Sequence, residues 1–280
     1  MLVPWLCFQY LLVRNNHIRV LEYPKKTRFD VTIPPSHVLQ DARLQTDHVL
    51  WERIRPDDLR RDMIVMDMMN RTVIHRAMDV SYTPSWFGWY NSTLFSVSVR
   101  GLVFRDKKPI RDLDLPSGDF LTRCDFDPKR GVGYAISFFN HLYLFDLHGY
   151  SRSFPDLIDP KVSAYCDRIR FYEDTDHAHV VLLQYHDALL YLRFFNSDIK
   201  TTSLVEKAIV RKMSRILDAS FVSPTNLCLL TPAHVYVHYI YREIRQIPLP
   251  ITGLTRIMFS RNQRIVFRDD EDRVYEMNLG

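Results

Sequence analysis

The segment Leu142-Tyr-Leu-Phe-Asp146 shows the pattern that decides the fold of this 280-residue chain. The pattern has apolar side chains at its first and third positions, which share one face of a β-strand, and an acidic residue closes the run. Tyr and Phe also favour strand over helix. The same pattern, in places more loosely, recurs in six further segments that begin at Ile18, Met63, Leu102, Leu190, Val235 and Val274.

Successive copies of this strand are 39 to 48 residues apart. Other strands can be found around each copy. A run such as Arg123-Cys-Asp-Phe126 comes first, an apolar run such as Gly133-Tyr-Ala-Ile-Ser-Phe138 follows, and an alternating run such as Glu243-Ile-Arg-Gln-Ile-Pro-Leu249 comes last. A period of this length with several strands per unit is typical of a propeller blade.

We therefore predict an all-β fold, a seven-bladed β-propeller of four-stranded antiparallel blades, in one domain that covers residues 1–280. The alternative is another antiparallel all-β fold, such as a pair of β-sandwiches.

The repeats resemble WD repeats. The run Leu142-Tyr-Leu-Phe-Asp-Leu147 is similar to the third strand of a WD repeat, and Phe126-Asp-Pro-Lys-Arg-Gly131 resembles the turn between its first two strands. The Trp of the WD dipeptide is missing from every copy, and no Gly-His dipeptide occurs. The resemblance implies a divergent WD-repeat-like propeller that lacks the Asp-His-Ser/Thr-Trp hydrogen-bond tetrad and is held by apolar packing between blades.

One stretch departs from the strand pattern. Ser203-Leu-Val-Glu206 has the form of a capping box, and the apolar residues after it follow near-helical spacing. We predict a short inserted helix near residues 203–217, with a long outer strand as the alternative.

The last repeated strand, residues 273–279, reaches the end of the sequence, so the last blade is expected to lack an outer strand. Residues 1–5 are expected to close the ring in the overlapping way usual for propellers; otherwise one blade stays incomplete. An open edge strand is a template for pairing. A second hypothesis is therefore that a partner supplies the missing strand by β-augmentation.

The charge balance is mild, with 37 basic and 33 acidic residues and a net charge of +4. It does not by itself imply nucleic acid or membrane as a partner. The basic residues are however 28 Arg and only 9 Lys, and Arg suits interfaces and ion pairs. An RNA-associated subunit that uses an Arg-rich face is thus an alternative function. The basic pairs in question are Lys25-Lys26, Arg60-Arg61, Lys107-Lys108 and Arg211-Lys212.

No signature of catalysis is present: there is no GxSxG elbow, P-loop, GxGxxG or HExxH motif. We predict no catalytic, cofactor or metal site, although an enzyme with a site at the central channel remains an alternative. His177 and His179 would share a face of a strand, with His186 further on, but a polar hairpin tip explains them as well.

The four cysteines are scattered, which favours a reducing compartment. No apolar run reaches the length of a membrane helix, and residues 1–13 are expected to form a strand rather than a signal segment. We predict an intracellular protein, cytoplasmic or nuclear.

Two groups of residues are candidates for contact with a protein. The first is Trp86, Trp89 and Tyr90, in an aromatic run that could form a surface hot spot or fill the space between blades as an inner strand. The second is Arg273 and Tyr275, on the last edge strand. From the architecture we predict a non-enzymatic scaffold or subunit of a multiprotein complex, with other protein subunits as partners.

Overall fold

A computed structural model describes most of the chain: residues 9–23, 26–45, 47–155, 157–158, 165–173, 178–196, 198–212, 214–240, 242–249, 251–261 and 264–278. Within these residues the chain forms 26 strands and no helix. The strands make seven antiparallel sheets, each joining strands that are consecutive in sequence. The fold is a seven-bladed β-propeller, as predicted.

The first three blades are built from short, regularly spaced strands. Blade one contains β1 (Gln9–Arg14), β2 (His17–Glu22) and β3 (Lys26–Thr32). Blade two contains β4 (Val38–Gln45), β5 (His48–Ile54), β6 (Arg61–Asp67) and β7 (Thr72–Val80). Blade three contains β8 (Pro84–Tyr90), β9 (Thr93–Ser98), β10 (Leu102–Arg105) and β11 (Lys108–Asp112).

The remaining four blades continue the same order. Blade four contains β12 (Leu121–Asp127), β13 (Val132–Ser137), β14 (Leu142–Asp146) and β15 (Ser151–Phe154). Blade five contains β16 (Arg168–Glu173), β17 (Ala178–Gln184), β18 (Ala188–Phe195) and β19 (Ser203–Arg211). Blade six contains β20 (Asp218–Phe221), β21 (Asn226–Leu230), β22 (His234–Tyr239) and β23 (Arg242–Pro248). Blade seven contains β24 (Leu254–Arg261), β25 (Arg264–Asp269) and β26 (Val274–Asn278).

The described residues divide into two compact units. The first unit takes those within Met1–Ser98 and Val103–Ile110, and the second takes those within Val99–Leu102 and Arg111–Gly280. The assignment of residues 1–280 to one domain stays a prediction.

The core lies between neighbouring blades of each unit because middle strands bury both of their faces. In β17, Val181 and Leu183 join a cluster with blade four, whereas Val180 and Leu182 join a cluster with blade six. Strands buried on both faces read as continuous apolar runs.

The acid that ends the repeated strand has a structural role. Asp146 Oδ1 accepts hydrogen bonds from the backbone N–H of His148 and of Tyr150, at 2.9 and 2.8 Å. Asp67 Oδ1 does the same for Met69 and Asn70, at 2.7 and 3.0 Å. A carboxylate that ties down the following turn fixes the direction of the next strand.

The predicted helix near residues 203–217 is wrong, because the first part of this stretch is the outer strand β19. Ser203 pairs with Phe195, and the pairing with β18 continues to Arg211 opposite Ala188. Val210 and Ala208 turn inward against β18 and the next blade. Partners along a whole strand edge outweigh a capping pattern that is only local.

The first and last blades have three strands each among the described residues. Residues 1–5, which the sequence assigned to closing the last blade, lie outside the described residues. Closure within the chain and closure by a partner strand both stay predictions.

Candidate functional site

The first strands of blades four to seven carry a cluster of charged residues in the second unit. β12 contacts β16 and β20 contacts β24, so these strands form the inner layer of their blades. Arg123 is the third residue of β12, Arg168 and Arg170 are the first and third of β16, and Arg256 is the third of β24. Asp218 begins β20. We call these five residues the arginine cluster.

Asp218 is the fixed centre of the arginine cluster, since its side chain is fully buried and every contact is short. Arg168 Nη1 lies 2.9 Å from Oδ2, and Arg170 Nη2 lies 2.8 Å from Oδ1. The backbone N–H of Ala219 donates to Oδ1 and that of Ile257 to Oδ2, both at 2.9 Å. The carboxylate therefore joins blade five to blades six and seven and holds two guanidinium groups in place.

The other two arginines have no acid of their own. Neither Arg123 nor Arg256 forms an ion pair with any described residue. The Nε–H of Arg123 and that of Arg170 are buried with no hydrogen-bond acceptor in the described part of the chain. Arg256 is exposed, so the arginine cluster can be reached from solvent. Buried polar groups normally have partners, so these N–H groups are suited to an acceptor from another molecule.

The guanidinium groups lie close enough to disfavour one another's charge. Burial lowers the pKa of Arg168, and Arg256, Arg170 and Arg123 lower it further, while Asp218 raises it. Loss of hydration also lowers the pKa of Arg256, with Arg268 as the next cause. Arg268 lies opposite Arg256 on β25, but its Nε is 3.5 Å from Asp272, which balances its charge.

The arginine cluster thus sets four guanidinium groups against one carboxylate. Guanidinium groups are planar donors that match the oxygens of carboxylates and phosphates. The arrangement can bind an anion, and no side chain in it is a nucleophile.

The aromatic run lies on the inner strand of blade three, as the second interpretation predicted. Trp86 is only 5 % exposed, and Trp89 packs partly buried against the core shared with blade two. Gln45 Oε1 accepts the backbone N–H of Trp89 at 2.9 Å. Tyr90 is half-buried. Trp86 therefore offers little surface to a partner, and contact by Trp89 and Tyr90 stays a prediction.

Arg273 and Tyr275 surround a single acid at the β25–β26 turn. Arg273 Nε donates to Asp269 Oδ2 at 2.6 Å, and Tyr275 Oη donates to the same oxygen at 3.1 Å. Arg273 also pairs with Glu271 at 2.9 Å. These contacts stabilise the hairpin, and a role in binding a partner stays a prediction.

The structure does not bring the histidine stretch together. His179 is buried at the start of β17, stacked on Phe194 with ring centroids 5.4 Å apart. His186 is exposed beyond the other end of β17, roughly 20 Å along the strand. His177 lies outside the described residues. Among the residues that are described, no three His, Cys, Asp or Glu side chains could hold a metal ion.

Three of the four basic pairs singled out in the sequence have at least one member engaged within the chain. Arg61 pairs with Glu52, and Arg60 pairs with Asp58 at 3.2 Å. Lys107 Nζ donates to the backbone carbonyl of Met78, and Lys212 pairs with Glu243. Lys25 lies outside the described residues. The strongest surplus of positive charge we find is therefore the arginine cluster, which none of these pairs had indicated.

A signal for the arginine cluster does exist in the sequence. Each of its inner strands has a charged residue three positions before a phenylalanine. The pairs are Arg123 with Phe126, Arg168 with Phe171, Asp218 with Phe221 and Arg256 with Phe259. Equivalent positions of neighbouring blades face one another, so this spacing could have found the site.

Comparison with known proteins supports the fold alone. No family model matches the chain, and no curated protein matches it. Among solved structures, Hsv2 of Kluyveromyces lactis superposes with a TM-score of 0.64 and 11% identity, covering 96% of this chain and 88% of that chain. The WD40 β-propeller domain of Doa1 superposes with a TM-score of 0.57 and 9% identity, covering 96% and 88%. A chain of the mitotic checkpoint complex superposes with a TM-score of 0.61 and 8% identity, covering 98% and 87%.

The chain therefore has the fold of a seven-bladed β-propeller, similar in fold to solved WD40 propellers, as the resemblance of its repeats implied. In the described part of the chain, no helix is long and apolar enough to cross a membrane.

Proposed function

We propose that this propeller is a non-enzymatic subunit of an intracellular multiprotein complex, in the cytoplasm or nucleus. Its arginine cluster binds an acidic segment of a partner protein.

The observation that carries this proposal is the imbalance of charge in the arginine cluster. Like charges held close together reduce stability unless something neutralises them. Asp218 neutralises one of four guanidinium groups, and Arg123 and Arg256 pair with no acid in the described residues. Places where a fold accepts such a local cost are often functional sites.

The comparisons support the proposal at the level of fold only. One of the similar solved chains belongs to a structure named as a complex, the mitotic checkpoint complex. Propellers host many functions, so this likeness is an analogy.

The geometry favours a short acidic segment over RNA. RNA binding without sequence preference uses a basic groove that follows the backbone, with aromatic side chains for stacking. Here the uncompensated charge is concentrated at one place, while Arg60, Arg61 and Lys212 are neutralised by nearby acids. A propeller enzyme has less support. His179, the histidine with the most lowered pKa, about 4, is buried among aromatic rings.

The test is affinity purification of the tagged chain from its native cells, with and without nuclease, followed by mass spectrometry. The variant Arg123→Glu/Arg256→Glu reverses the charge at the arginine cluster and leaves the contacts of Asp218 in place. Arg242→Glu, at an exposed position of the outer strand β23, is the matched control. We expect a stoichiometric partner with the wild type and the control, and its loss with the double variant.

Retention of the partner by the correctly folded double variant would contradict the proposal. A partner that disappears on nuclease treatment would replace it with the RNA-associated function.

A further inference from the structure

We propose that the arginine cluster recognises a phosphate monoester, carried by a phosphorylated serine or threonine of the acidic partner segment. This inference rests on the proposed function and specifies the chemistry of its ligand.

Charge is the first reason. Four guanidinium groups and Asp218 leave a surplus of three positive charges. A carboxylate supplies one negative charge, whereas a phosphate monoester supplies nearly two at neutral pH. The phosphate group therefore neutralises more of the repulsion that the arginine cluster creates.

The second reason is the arrangement of the donors around the ligand. The guanidinium groups come from three blades, with Arg123 on β12, Arg168 and Arg170 on β16, and Arg256 on β24. A carboxylate has two oxygens in one plane. A phosphate monoester has three terminal oxygens in a tetrahedral arrangement, and each can accept from a different guanidinium group.

Asp218 is the third reason, because it makes part of the site rigid in advance. It already fixes Arg168 and Arg170 at 2.9 and 2.8 Å and is itself held by two backbone N–H groups. The two arginines keep further N–H groups, and the buried Nε–H of Arg170 is among those with no acceptor in the described part of the chain. Asp218 is thus a positioning residue, and less side-chain entropy is lost when the ligand binds.

The experiment measures binding of fluorescent degenerate peptide pools to the full chain by anisotropy. One pool has a fixed central phosphoserine, a second has serine and a third has glutamate at that position. Inorganic phosphate serves as competitor, and a labelled oligouridylate serves as the RNA arm. We expect the phosphoserine pool to bind about tenfold tighter than the glutamate pool. Inorganic phosphate should compete at higher concentration.

Arg123→Gln and Arg256→Gln test the site without touching Asp218. Each should weaken binding of the phosphoserine pool about five- to tenfold, because each removes a charged donor. Arg242→Gln is the matched control and should leave binding unchanged. Asp218→Asn tests whether Asp218 positions Arg168 and Arg170. The preference for the phosphoserine pool over the glutamate pool should fall in this variant, even though the site becomes more positive.

The outcomes separate this inference from the proposed function. Equal binding of the glutamate and phosphoserine pools overturns the phosphate inference, as does a captured partner that phosphatase treatment does not release. In both cases the proposed function survives if the partner is still lost from Arg123→Glu/Arg256→Glu. Tightest binding of the oligouridylate overturns both.

Discussion

Two arginine-rich regions of this molecule differ in how their charge is balanced. Blade two contains a network of arginines in which each one has at least one acid within ion-pair distance. Arg43 pairs with Asp41 at 2.9 Å and Arg53 with Asp62 at 3.2 Å. The blade-two network consists of Arg43, Arg53, Arg55, Arg60 and Arg61 with Asp41, Glu52, Asp58, Asp62 and Asp79. In the arginine cluster, four arginines share Asp218.

The difference shows that an excess of arginine in a sequence does not identify a binding surface. Asp62 and Asp218 are both fully buried acids held by arginine. Around Asp62 the charges cancel, and the network can be explained by the structure of the blade alone. Around Asp218 they do not, and we expect the repulsion between the guanidinium groups to lower stability there.

The largest expected effect comes from removing each buried acid. Asp218→Ala should lower the free energy of unfolding by about 3 to 5 kcal/mol, because Arg168 and Arg170 lose the carboxylate that holds them. Urea unfolding measures the loss, and replacing chloride with sulfate at constant ionic strength should restore part of it. Asp62→Ala is the control: it should also destabilise, but sulfate should help it no more than the wild type. Equal rescue of both variants would remove the distinction between the two regions.

The buried His179, which lies outside both regions, makes the stability of the fold depend on pH. Burial lowers the pKa of His179 to about 4, from an ordinary value of 6.5. The unfolded chain therefore binds the proton more readily, and stability is lost as the pH falls from about 6.5 towards 4. Between about pH 7 and pH 5 the loss is about 2 kcal/mol. His179→Phe, which keeps a ring against Phe194, should lack this part of the loss.

The control for the pH dependence of His179→Phe is His186→Gln, at an exposed position. It should follow the wild type when urea unfolding is repeated at each pH. If His179→Phe loses as much stability as the wild type on acidification, the buried histidine is not the cause. Any loss that persists in His179→Phe comes from groups other than this histidine.

Removing repulsion between guanidinium groups should have a smaller effect on the free energy of unfolding, and should raise it. Arg123→Gln/Arg256→Gln should raise the free energy of unfolding by about 1 kcal/mol at low salt, because two guanidinium groups that pair with no acid in the described residues are removed. The gain should shrink as salt screens the charges. In the blade-two network, Arg53→Gln should instead destabilise, because it leaves Asp62 buried without its arginine. A loss of stability in the double variant would show that the arginine cluster is structural.

The fold could be predicted because the same strand pattern recurs at intervals of 39 to 48 residues. All seven repeated segments coincide with strands, among them β14 at Leu142 and β22 at His234–Tyr239. The prediction of a helix near residues 203–217 was wrong because Leu204, Ala208 and Ile209 fit helical spacing and equally fit a strand. Only the pairing of β19 with β18 decides between the two.

The candidate site was harder to predict because its residues are 133 positions apart in the sequence, from Arg123 to Arg256. Arginine in an alternating strand usually marks a solvated position. Convergence on Asp218 depends on the register of four separate sheets. Arg256, for instance, lies opposite Arg268 only after a shift in the β24–β25 pairing. Trp86 shows the converse, since this member of an aromatic run that suggested a hot spot is itself buried in the core.

The smallest expected effect is at Arg60, an exposed member of the blade-two network. It lies 3.2 Å from Asp58 and 3.5 Å from Asp79, and both of those acids also have Arg55 within reach. Arg60→Gln should change the free energy of unfolding by no more than about 0.5 kcal/mol, because exposed ion pairs contribute little. It should also leave binding of the phosphoserine pool at the wild-type level, since this charge is already neutralised. Weaker phosphoserine binding by Arg60→Gln would mean that the balanced network also recruits anions, and that the ratio of arginine to acid is not what separates the two regions.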